Sequence, residues 1–105
     1  MLSQTQIAQL KANGFLNGGI VLTDDEVEIL RAEVMRVIEE RDRTDIPQPV
    51  LVRTLSRDES APVWQIVNIW QASEPYHKLM SHPKITAGIA QLTNADELRI
   101  WHDQI

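Results

Sequence analysis

Residues 63 to 70 read Val63-Trp64-Gln65-Ile66-Val67-Asn68-Ile69-Trp70, and the fold class turns on how this run is taken. Its β-branched and aromatic content suits a strand or an extended buried segment. A helix also stays open, because periodicity cannot settle so short an apolar run. Upstream, Val50-Leu51-Val52-Arg53-Thr54-Leu55 has the same β-branched character and reads as a strand. Polar, turn-like residues from Ser56 to Pro62 separate the two runs. Asp45, Pro47 and Pro49 keep Thr44 to Pro49 out of helix and extended. Strands at both runs, set among helices, make the chain α+β.

The helices are marked by their ends. Ser3 and Gln6 form an S-x-x-Q capping box, so a helix begins after Ser3, and Asn13-Gly14 stops it. Phe15-Leu16 and Ile20-Val21 flank Asn17-Gly18-Gly19, as a short strand, turn and strand or as a plain extended lead-in. Thr23 and Glu26 form a second capping box. Asp24, Asp25, Glu26 and Glu28 then crowd the first turns, where the helix dipole favours negative charge. Val27, Leu30, Val34, Val37 and Ile38 fall on one face at the helical period, predicting a helix over about residues 24–42. Glu39 and Arg43 stand four apart on it, a pairing worth a few tenths of a kcal/mol. Ser73 as cap and Pro75 in the first turn start another helix that runs to about Met80. Ser81-His82-Pro83 restarts the chain in a helix carrying Ile85, Ile89, Ala90 and Leu92, which Asn94 ends. Glu97 to Ile105 reads as a last strand.

Bulk properties bound the function. The chain has 105 residues, 43% of them hydrophobic and 24% charged, with a net charge of −5. That suits one globular domain, residues 1–105. Such a charge repels a phosphate backbone and an anionic membrane surface, so nucleic acid and membrane are not expected partners. The absence of cysteine removes disulfides, thiolate metal sites and a thiol nucleophile. The first residues lack the pattern of a secretory signal, and no apolar run is long enough to span a bilayer, so a cytoplasmic location is expected.

Taken in order, several segments look alike to one family. They are the helix ending in Asn13-Gly14-Phe15-Leu16, the capped helix from Leu22-Thr23-Asp24-Asp25-Glu26-Val27 to Leu30, and Ile66-Val67-Asn68-Ile69-Trp70-Gln71. Next come the helix containing Leu79, then His82-Pro83-Lys84-Ile85 through Ala90-Gln91-Leu92, and last Leu98-Arg99-Ile100-Trp101-His102-Asp103-Gln104. Together they resemble the N-terminal portion of phytanoyl-CoA dioxygenase family proteins. The resemblance implies the outer helices and first strands of a double-stranded β-helix, or jelly-roll, with its barrel incomplete in these 105 residues. It also implies iron(II)-dependent oxidation of a small-molecule substrate with oxygen and 2-oxoglutarate.

The family's H-x-D iron motif, its distal His, its 2-oxoglutarate-gripping Arg and a cosubstrate Lys all belong downstream of a segment like Trp101 to Gln104. The expectation is therefore an N-terminal fragment of such an oxygenase. It should be catalytically incompetent alone, should bind neither iron nor 2-oxoglutarate by itself, and should be open to self-association through unpaired strand edges. The alternative is a non-catalytic α+β module for protein contacts.

His102-Asp103 is not an iron motif, because neighbouring residues in a strand point to opposite faces while a facial triad needs both on one side. The same alternation gives His102 and Gln104 a face shared with Leu98 and Ile100. They are the candidate 2-oxoglutarate or substrate pocket residues of a complete enzyme; the plainer role is to cap a core or stand at a sheet edge. His77 and His82, five apart across a helix break, lack a third ligand and read as surface or capping residues. Trp64, Trp70 and Trp101 are expected in the core rather than in a ligand-stacking platform. No Gly-rich phosphate loop or Ser-His-Asp set is present.

Overall fold

A computed structural model describes all of residues 1–105. Four α-helices and a two-stranded antiparallel sheet make a small α+β protein: α1 (Gln4–Asn13), α2 (Asp24–Glu39), β1 (Leu51–Thr54), β2 (Trp64–Val67), α3 (Glu74–Met80) and α4 (Pro83–Thr93). Both capping boxes form as read. The Ser3 hydroxyl accepts from the Gln6 N–H while the Gln6 side chain accepts from the Ser3 N–H, and Thr23 and Glu26 repeat the exchange. Gly14 takes the left-handed conformation (φ 77°) that ends α1. Asn94 does the same for α4 (φ 54°).

Helix α2 is the spine. Val37 and Ile38 from its last turn meet Ile66 and Ile69 in the core, with Val34, Val52, Trp64, Ala72 and Tyr76 packed around them. The helix stops at Glu39, about a turn short of the expected end. The Gln48 amide donates to the Glu40 and Arg43 carbonyls and folds the chain back. Arg43 pairs with Glu40 and Asp45, in place of the expected Glu39.

β1 and β2 pair with Val52 opposite Ile66, which aims Ile66 at α2. β2 is shorter than the apolar run that contains it. Asn68 adopts a left-handed conformation (φ 57°, ψ 51°), and the chain winds into a single 3₁₀ turn, Ile69–Gln71. The run is thus part strand and part turn, and Ile69 enters the core from the turn.

The expected last strand is reduced to its end. Ile105 exchanges backbone hydrogen bonds with Ile66 (2.8 and 2.9 Å), and Gln104 stands opposite Val67. Residues 97–102 run beside no strand. Trp101, expected in the core, is 91% exposed, because the backbone pairing that would carry it inward begins only at Asp103. Phe15 to Val21 forms neither helix nor paired strand, the Gly19 N–H (φ 85°) turning back to the Asn17 side chain, and Phe15 and Ile20 are exposed.

The chain covers little of itself. Its accessible surface is 8021 Å², against about 6,000 Å² for a compact monomer of 12.0 kDa. The radius of gyration is 16.6 Å, against about 13 Å for a compact domain of this length. β1 pairs on one side only, and Val50, Leu55 and Val63 stand exposed around it. No helix is long and apolar enough to cross a membrane.

Candidate functional site

Three groups of polar side chains have a definite geometry. The first lies under α2. The Arg36 guanidinium grips both Glu33 carboxylate oxygens (2.9 and 2.8 Å), donates to Glu40 (3.0 Å) and donates to the Ala72 carbonyl at 2.7 Å. Ser73, only 4% exposed, turns its hydroxyl to Glu33. Ser73 was expected to cap α3; it occupies the cap position, yet its side chain serves Glu33 instead. The Arg36 bond holds the Glu33 carboxyl below its ordinary range, with Ser73 adding and burial opposing. Every buried side-chain nitrogen or oxygen has a hydrogen-bond partner, so this network fastens α2 to the start of α3.

The second group joins the last residues to the sheet. Asp103 accepts the Ile69 N–H on its carboxylate (2.9 Å) and the Asn68 N–H on its carbonyl (3.1 Å), while its own N–H donates to the Asn68 side chain (3.1 Å). Tyr76 lies close by and donates its hydroxyl to the Leu30 carbonyl at 3.3 Å. Burial pushes its phenol above the usual range, and the charges of Asp103 and Glu33 add to this.

His102 and Gln104 are both exposed, on either side of the inward-turned Asp103. Alternation therefore holds over these three residues. It does not extend back to Ile100 and Leu98, which lie outside any strand. His102 and Asp103 point apart and Asp103 is committed to Ile69, so this pair does not fit an iron ion. No other three His, Asp or Glu side chains gather in a way that would hold one.

The third group borders a cleft of about 270 Å³ between the first half of α2 and α3. Leu22, Leu30 and Leu79 form its apolar floor, with the exposed Ile29 at the edge; Glu26, Lys78 and His82 also line it. His82 sits where α3 gives way to α4. Its Nδ1 accepts the Lys84 N–H at 3.3 Å, so it caps α4, and its Nε2 lies 4.0 Å from Glu26 Oε1. Lys78 is bound to Glu74 at 2.8 Å. His77 turns away to Trp70, with ring centres 5.8 Å apart. The sequence marked Glu26 as half of a capping box and a first-turn acid, and His82 as a surface or capping residue within a family-like segment. The signal for a shared site was slight, since 56 positions separate them.

No protein-family model, curated protein or solved structure matches this chain. What stands on the structure alone is a small α+β protein with an open sheet and more surface than its mass requires.

Proposed function

We propose that this chain supplies the N-terminal helical layer and first strands of an iron(II)/2-oxoglutarate-dependent oxygenase of the phytanoyl-CoA dioxygenase type, acting on a small molecule. The observation that carries the reading is the order of the family-like segments along the whole chain. The excess surface supports it: 8021 Å² exposed by 12.0 kDa suits a lobe built against a larger body. The free edge of β1 is a natural place for further jelly-roll strands to add. The Asp103 clamp supports it too, because it fixes the last segment on β2 and leaves His102 and Gln104 exposed on either side. In the complete enzyme these two residues line the pocket for 2-oxoglutarate or substrate. The residues of this chain do not hold the iron, and no catalytic step is assigned to them.

The test is succinate release from 2-oxoglutarate, with iron(II) and oxygen, by the product of the complete reading frame and by the 105-residue chain in parallel. Turnover by the first and none by the second is expected. Turnover by the chain alone, or an inert complete product that binds no 2-oxoglutarate, overturns the reading. In an active complete product, Gln104→Ala should raise the KM for 2-oxoglutarate several-fold; an unchanged value removes Gln104 from the pocket.

A further inference from the structure

The cleft between α2 and α3 combines an apolar floor with two polar atoms that face each other and do not meet. His82 Nε2 and Glu26 Oε1 are 4.0 Å apart, beyond the reach of a direct hydrogen bond. Their other polar atoms are occupied. Glu26 Oε2 accepts the Thr23 N–H (2.7 Å) and hydroxyl (3.0 Å), and His82 Nδ1 accepts the Lys84 N–H (3.3 Å). With Nδ1 accepting, the neutral imidazole carries its proton on Nε2 and donates from there. The hydrogen bonds from Thr23 hold the Glu26 carboxyl below its ordinary range, so it accepts. One donor and one acceptor therefore stand side by side in the cleft.

An oxygen that accepts from Nε2 and donates to Oε1 closes a triangle on that 4.0 Å base, with sides of about 2.8 Å. A hydroxyl does both; an ether only accepts and an alkane does neither. An anionic ligand is disfavoured, because Glu26 is itself negative and Lys78 is already paired with Glu74. Leu22, Leu30 and Leu79 supply the surface for a hydrocarbon body. We propose that this cleft binds a small neutral alcohol, with its hydrocarbon part on the leucine floor and its hydroxyl bridging His82 Nε2 and Glu26 Oε1. The proposal stands on the geometry of Glu26 and His82 and requires neither iron nor 2-oxoglutarate.

The test is an amide NMR titration of the chain with cyclohexanol, and with methoxycyclohexane, whose oxygen lacks the proton for Glu26. Cyclohexanol should shift amides of residues 22–30 and 75–84 in a saturable way, with a dissociation constant on the order of millimolar for so few atoms. The ether should bind about tenfold more weakly, and Glu26→Gln should erase this preference, because two donors at the gap suit an ether oxygen as well as a hydroxyl. Gln still serves the capping box, so the variant keeps its helix, checked by circular dichroism, while the atom facing the cleft becomes an amide donor. Equal binding of alcohol and ether shows a merely greasy groove and overturns the proposal. So do shifts confined to other residues, no saturation up to the solubility limit, or a spectrum without dispersed amides.

Discussion

Replacing Ile66 with Ala should unfold the protein or bring it to the edge of unfolding. Ile66 is 0% exposed and sits where Val37, Ile38 and Ile69 converge. The change deletes three carbons, about 2.4 kcal/mol of transfer free energy at ~0.8 kcal/mol each. The unfilled space raises the cost to about 3–4 kcal/mol. The reserve against which this is drawn is small. An unfolded chain of 12.0 kDa exposes about 17,400 Å². Folding to 8021 Å² removes about 54% of that, where a compact domain of this size removes about 65%. Stability should then lie near the lower end for natural domains, about 5 kcal/mol. With a urea slope of about 1 kcal/mol per molar, the midpoint should move down by about 3 M. Urea titration followed by tryptophan fluorescence reads this directly, since Trp64 packs on the core and lies beneath the Arg41 guanidinium, 5.1 Å from its ring centre. A displacement below about 0.5 M would refute the assignment of Ile66 to the centre of the only core.

Asp103→Ala should release the last residues from β2 and leave the Ile69 N–H without its 2.9 Å partner, a cost of about 1–3 kcal/mol; hydrogen exchange at Ile69 and Ile105 should accelerate together, and unchanged protection at both would contradict the clamp. Glu33 is held below its ordinary 4.5 by Arg36 first and Ser73 second, so it stabilises the fold above that pH and loses this contribution as pH falls through its lower folded-state value. Glu33→Gln should therefore lower stability at neutral pH and flatten the acid limb of a thermal-midpoint profile, whereas an acid limb identical to the parent's would discard the role. Thr23→Ala removes the side-chain half of the α2 capping box and should cost about 1 kcal/mol, read as a fall in thermal midpoint; no change would mean that the first turn is held by other contacts.

The helices were legible because their signals are local. A cap side chain, an acidic first turn and a left-handed Gly14 or Asn94 act within a few residues, and the structure uses each of them. The strands were half legible. Their β-branched content marked the runs, but where β2 ends depends on Asn68, whose left-handed backbone is clasped by Asp103, 35 positions away. Trp101 was misplaced because residue type predicts burial only if the rest of the structure supplies a cover, and nothing in the chain reaches it. Arg36 is a similar case. No local signal marks its reach to the Ala72 carbonyl, 36 positions on. The pairing of Glu26 and His82 was invisible because each had a sufficient local role, and only tertiary packing sets them 4.0 Å apart.

Reading the gene downstream of the Ile105 codon tests the oxygenase assignment most directly. A frame that continues into a Lys, then H-x-D, then a distant His and Arg is the expected result, and it would supply the iron and 2-oxoglutarate ligands that these residues do not. A stop codon immediately after Ile105 would contradict the assignment and turn attention to the chain as a binding module.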